Sequence, residues 1–175
     1  MKFLPIERYT LLTKLSREEI KARLEANVEP KSTRLQVRIG WSKPRTTKPY
    51  QGAVSTNGFY ISRIINYRNS FLPEIRGEVS HEIVHTAVKI DMQVSWFVRV
   101  FMLFWFGAVV AGLVLCVGAI INGSRAGDKF DPFLLVPFPM LIFGYLLVRL
   151  SFQYEVNKSK KFLRDLLQGW EEGKA

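Results

Sequence analysis

Residues 100–121, VFMLFWFGAVVAGLVLCVGAII, contain no charged side chain. As a helix rising about 1.5 Å per residue, such a run reaches roughly 33 Å, enough to cross a hydrocarbon core of about 30 Å. A domain of this size cannot wrap so wide an apolar cylinder on every side. The run therefore reads as a membrane span, with Arg99 extending its charge to the headgroups and Trp96 and Trp105 as interface anchors.

A second run, FLLVPFPMLIFGYLLV at residues 133–148, is shorter. Adding Leu150 and Phe152, with Arg149 reaching outward, brings it to about 20 residues and roughly 30 Å. Asp131 is placed to cap this helix and Pro132 to be its first residue. Pro137 and Pro139 then fall inside it, which predicts a kink. Between the runs, NGSRAGDKFD reads as a turn, so the two spans form a hairpin. In the first span Ala108, Gly112 and Cys116 recur every four residues, flanked by Gly107 and Ala111, a small-residue stripe that permits close helix packing, with Gly144 on the second span as a receiving position.

The flanking charge sets the orientation. Arg149, Lys158, Lys160, Lys161 and Arg164 follow the second span, against Arg125 and Lys129 in the turn. Positive-inside logic puts the C-terminus in the cytoplasm, and two spans return the N-terminal part there too. Arg99, Arg149, Lys158, Lys160, Lys161 and Arg164 are the expected membrane-surface cations. The opening MKFLPIERYTLLTKL is interrupted by polar residues every few positions, unlike a signal peptide. The expected setting is a bacterial inner membrane.

Ahead of the spans, LSREEIKARLEANV carries a helix-start signature. Ser16 caps, Glu19 reaches back, and Leu15 and Ile20 are spaced as a hydrophobic staple, which predicts a helix over residues 17–26 with a narrow apolar face of Ile20 and Leu24. The period then changes to two. RLQVRIG at residues 34–40 alternates as a half-buried strand, and Asn57-Gly58 marks a hairpin turn between residues 53–56 and 59–65. A further strand ends near Val79, with Pro73 demoting it to an edge or broken strand, and Val84, Thr86, Val88 and Ile90 alternate in the last. At the far end Leu163, Leu166, Leu167 and Trp170 share a helix face, suited to the anionic lipid interface or, in preference, to packing on a one-sided sheet.

The expected fold is thus an α+β membrane protein. A helix plus antiparallel β-meander occupies residues 1–95, span one residues 96–122, a turn residues 123–131, span two residues 132–153, and an amphipathic helix residues 154–175.

Chemistry-bearing motifs are weak. Cys116 is the sole cysteine, which excludes an intramolecular disulfide and cysteine-rich zinc sites. His81 and His85 have helical ligand spacing but fall in extended sequence, where residues four apart are about 13 Å distant. Glu74, Glu78 and Glu82 read as solvent-facing strand charges, and Ser70 and Ser80 lack a nearby triad arrangement. No phosphate-binding glycine loop is present. No metal, cofactor or catalytic residue is expected. The loop WSKPRTTKPYQG presents Trp41, Lys43, Arg45, Lys48 and Tyr50 as a basic-aromatic surface for a partner or acidic lipid.

A net charge of +10 permits nucleic acid as a partner, but the apolar runs favour the bilayer. The function expected is a two-pass scaffold or accessory subunit of a larger membrane complex, through a membrane-protein partner or self-association. A sensor of anionic lipid headgroups and an oligomeric pore or transport element are the alternatives.

Overall fold

The computed structural model describes residues 5–30, 47–81, 84–126 and 132–172. It divides into two units: Met1–Ser95 with Phe152–Ala175, and Trp96–Ser151. The architecture is α+β, with a seven-stranded sheet and three helices, two of which are long and apolar enough to cross a membrane.

In the first unit, β1 (Ile6–Thr13), β2 (Val28–Pro30), β3 (Tyr50–Ser55), β4 (Gly58–Arg63), β5 (Pro73–His81), β6 (Thr86–Val94) and β7 (Trp170–Glu171) are ordered β2-β3-β4-β5-β6-β1-β7. The β3–β6 core is the expected meander. β1 adds antiparallel to β6 over its full length, β7 pairs with β1, and β2 runs parallel to β3. The residue 34–40 strand expectation lies outside the described residues.

Strand alternation sorts the side chains. Tyr50, Phe59, Ile61, Ile75, Val79, Val88, Ile90, Met92 and Leu11 are buried. The opposite face carries a polar row along the register Tyr60, Arg76, Asp91, Arg8. Arg8 Nε donates to Asp91 Oδ2 at 3.2 Å, and the Arg76 guanidinium lies over the Tyr60 ring. Glu74 and Glu78 share this outer parity.

α1 (Arg17–Asn27) starts as the sequence dictates, with the Ser16 hydroxyl accepting from the Glu19 N–H and the Glu19 carboxylate accepting from the Ser16 N–H. Leu15, Ile20, Leu24 and Val28 are buried beneath it. The hairpin turn is displaced by one residue from its expected place. Ser55 pairs with Gly58, so Thr56-Asn57 forms the loop, and neither residue takes a positive φ. Gly58 is demanded by close approach: a Cβ there would overlap the Gly77 carbonyl oxygen. Pro73 does not make β5 an edge. It stands at the first residue of the strand, where a missing N–H is tolerated, and β5 pairs on both sides.

The second unit contains α2 (Trp96–Ala126), which continues past the expected turn start at residue 123. Pro132–Leu135 forms a separate 3-10 turn, and α3 (Pro137–Leu167) begins after it. Pro137 and Pro139 therefore occupy the first turn of α3, where N–H groups have no intrahelical partner, instead of kinking its interior. Asp131 lies outside the described residues. Within this unit the span windows of both helices are almost wholly exposed, with Leu103, Phe104, Leu115 and Phe143 among their uncovered side chains.

α3 ends differently from the expected amphipathic helix. Gln168 adopts φ 49° and the Gly169 N–H donates to the Arg164 carbonyl at 3.2 Å, a Schellman closure that releases Trp170 into β7. Left-handed backbone costs a side-chain-bearing residue about 1 kcal/mol. Gln168→Gly is therefore expected to raise the thermal midpoint in detergent. Gly77→Ala is expected to lower it, by about 1–3 kcal/mol of stability, because the Phe59 ring occupies the space of its Cβ.

Candidate functional site

The most constrained cluster in the first unit is the dock of α3 on the inner sheet face. Phe152, Val156, Leu163 and Leu167 recur at three- and four-residue spacing and are buried. Two polar residues fall in the same stripe, Glu155 and Ser159, and both are fully buried. Each has a partner from the sheet. Glu155 Oε2 accepts from Arg63 Nη1 at 2.7 Å, and Glu155 Oε1 accepts from the Tyr67 hydroxyl in the β4–β5 loop. The Tyr50 hydroxyl donates to Ser159 Oγ at 3.2 Å, and its ring stacks on Phe162 with centroids 4.4 Å apart.

Further along α3, Lys160 Nζ donates to Glu7 Oε1 at 2.7 Å and sits 4.6 Å from the centre of the Tyr9 ring. The C-terminal carbonyls are also satisfied. Thr13 Oγ1 donates to the Leu167 carbonyl at 2.7 Å, and Arg23 Nη1 to that of Leu166 at 2.9 Å, placing a cation at the negative end of the helix.

Electrostatics follow from burial. Burial opposes the charge on Arg63, but the hydrogen bond and charge of Glu155, with Tyr67 adding, leave its pKa above the ordinary value. Tyr67 is raised by burial and then by Glu155. Burial raises Tyr50 despite the Ser159 hydrogen bond, and burial with Glu171 raises Tyr9. On the outer face, burial and Glu74 push Tyr60 up to about 12. The phenolate forms are thus disfavoured in the folded chain, whose stability is complete below pH 10 and declines as pH rises through and beyond 12.

Among the residues singled out from sequence, Tyr50 is a core residue of the dock and is not presented to a partner. Lys48 Nζ donates to the Glu25 and Val28 carbonyls at 2.7 and 3.1 Å, closing the C-terminal end of α1. Trp41, Lys43 and Arg45 lie outside the described residues. Lys160 turns inward to Glu7, whereas Lys158, Lys161 and Arg164 are exposed, as are Arg99 and Arg149 in the second unit. Gly107, Ala108 and Ala111 are exposed, Gly112 and Cys116 half-buried, and among the described residues nothing beyond the helix's own adjacent backbone lies within 4 Å of a Cβ built on Gly107 or Gly112. Gly144 instead faces Trp105 and Phe106, at 3.5 and 3.6 Å. The stripe and Gly144 are therefore not brought together at these glycines. His85 packs edge-on against Trp170, and no group of three or more metal-ligating side chains occurs among the described residues.

Arg63, Tyr67, Glu155 and Ser159 were not singled out from sequence. A signal was available for two of them: extending the Leu163, Leu167 stripe backward by helical steps places Ser159 and Glu155 on an apolar face, which marks polar residues in need of buried partners. Both Glu155 oxygens are engaged, so the carboxylate fixes the position of α3 against β4.

No protein-family model matches the sequence, and no curated protein or solved structure matches it significantly.

Removing one member of a buried ion pair strands the other and costs about 3–5 kcal/mol, whereas replacing both by apolar residues is often near neutral. Glu155→Ala is expected to lower the unfolding midpoint steeply, Tyr67→Phe to lower it slightly, and Arg63→Met with Glu155→Leu to recover most of the loss. Alkaline titration of phenolate absorbance alongside the unfolding midpoint checks the pH dependence. Stability that stays flat above pH 10 would refute it.

Proposed function

We propose that the chain is a two-pass membrane scaffold, an accessory subunit of a larger membrane complex that docks partners through its sheet-bearing domain, with both termini cytoplasmic. The carrying observation is the continuity of α3. One helix passes without a break from exposed apolar residues such as Ile142, Phe143 and Leu150 to the buried stripe from Phe152 to Leu167. Such a helix links a folded domain directly to whatever medium covers the apolar stretch. Water is a poor medium for two helices of this length and exposure, and a bilayer is a fitting one.

Three further features support the reading. The cations following the second apolar stretch outnumber those in the turn, which favours a cytoplasmic C-terminus. Exposed Gly107, Ala108 and Ala111 leave room for a helix of another chain. Within the dock, Glu155 and Ser159 are held by Arg63, Tyr67 and Tyr50, which supports a structural role for this face of α3.

Native mass determination after affinity purification of the full-length protein in mild detergent tests this. A stoichiometric foreign polypeptide is the expected result, and a homo-oligomer without a companion would overturn the subunit role. Gly107→Leu is expected to reduce the companion several-fold while leaving the thermal midpoint unchanged, since among the described residues nothing beyond the helix's own adjacent backbone lies within 4 Å of the new side chain's Cβ.

A further inference from the structure

We infer that the β4–β5 loop, residues 64–72, is a membrane-surface contact that offers Arg68, beside Tyr67, to the phosphate of an anionic phospholipid. The inference rests on the membrane reading above and adds a specific lipid-facing surface to it.

The sheet register supplies the placement. Pro73 pairs with Val94 and Ser62 with Glu74, so the loop hangs from the end of the sheet at which β6 finishes. Ser95 alone separates Val94 from Trp96, the first residue of α2. The other connection to the apolar helices leaves at the same end. Tyr67 bonds Glu155, three residues beyond Phe152, a distance of about 5 Å along a helix axis. Both chain segments entering the apolar helices thus depart beside this loop. In a two-pass protein, the surface from which both spans depart faces the headgroups.

The chemistry of the loop suits that position. IINYRNSFL contains one charged residue, Arg68, and no acid. Asn66, Arg68 and Ser70 are exposed, as is the Tyr67 ring, whose hydroxyl turns inward to Glu155, so a cation and small polar donors face outward beside an aromatic ring. Asn69 Oδ1 accepts from the Phe71 N–H at 2.9 Å, closing a local turn, and the Tyr67–Glu155 bond fixes the loop at its middle. A guanidinium matches phosphate oxygens in two-point geometry, and tyrosine favours the interface between apolar and wet layers. On α3, exposed Lys158 lies 4.1 Å from the centre of the exposed Tyr154 ring, a cation–aromatic pair within one turn of Glu155. The opposite end of the sheet, at the Thr56-Asn57 turn, has no such role and serves as the reference.

The test uses the full-length protein with Cys116→Ala, reconstituted in phosphatidylcholine vesicles containing phosphatidylglycerol and a nickel-chelating lipid. Nitroxide labels are placed at Ser70→Cys, at Asn57→Cys, and at Val114→Cys within α2. The expected result is that the label at 70 relaxes several-fold faster than that at 57, while the label at 114 collides with oxygen and not with soluble nickel. Arg68→Ala is then expected to lower retention of phosphatidylglycerol over phosphatidylcholine, read by native mass spectrometry, by about fivefold. Equal relaxation at 70 and 57 with a lipid-exposed 114 overturns this inference and leaves the membrane reading standing. Unchanged lipid retention in Arg68→Ala overturns the headgroup recognition. A label at 114 that meets soluble nickel removes the membrane reading, and this inference with it.

Discussion

A carboxylate sealed from water at Glu155 governs how the first unit is assembled. An ionised group in that position costs several kcal/mol unless each oxygen finds a donor. Both donors come from outside the helix, Arg63 at the end of β4 and Tyr67 in the loop that follows. The seat of α3 therefore depends on β4 and on the closed loop beside it. The dependence also fixes register. A slip of one helical turn would bring Ser151 or Ser159 opposite Arg63 and leave the guanidinium without a counter-charge. An apolar stripe alone is less selective, because Phe152 and Val156, and Leu163 and Leu167, stand four residues apart and each can take its neighbour's place in a one-turn slip. The ion pair selects one of several arrangements that hydrophobic burial would accept.

Sheet asymmetry follows from the same contact. With α3 and α1 on one face, the strands bury Phe59, Ile75, Ile90 and their neighbours there and keep charge on the other. Glu7 is the informative exception. It stands on the inner parity of β1, and its charge is matched by Lys160 from α3. Each ionised group brought to the inner face by one element is thus met by its opposite from another. The helix end is treated the same way, with Thr13 and Arg23 supplying donors to carbonyls that a helix leaves open.

What sequence pattern conveyed was whatever depends on local periodicity or local caps. The Ser16–Glu19 box and the staple around it are encoded within a few residues, and α1 starts there. The uncharged run at 100–121 and the alternation from Thr86 to Val94 are equally local. β1 was hidden because Leu11 and Leu12 are adjacent apolar residues and Glu7 interrupts the inner face, so its strand character depends on β6 as a partner. Pro73 looked like an edge marker because sequence does not show which strand residue it is. Its position at the first residue removes the penalty. The dock itself depends on long-range contacts: Arg63 and Glu155 are 92 residues apart, and only the helical phase of Glu155 hinted at it.

Charge distribution then separates the surfaces. The outer face of the sheet sets Arg8, Arg76 and Lys89 against Glu74, Glu78 and Asp91, an even match arranged in cross-strand neighbours. The first unit nevertheless carries 21 Lys and Arg against 13 Asp and Glu. Among the described residues, α1 is also even, with Arg17, Lys21 and Arg23 against Glu18, Glu19 and Glu25, whereas the outward side of α3 sets Lys158, Lys161 and Arg164 against Asp165. A protein partner on the outer sheet face meets a balanced surface and is selected by shape and hydrogen bonding, since neither sign of long-range field favours it. The anionic-lipid contact proposed above draws instead on exposed Arg68, Lys158 and Lys161, residues carried by the loop and helix that Glu155 holds together. The buried ion pair is in this way the element on which the arrangement of the exposed cations depends.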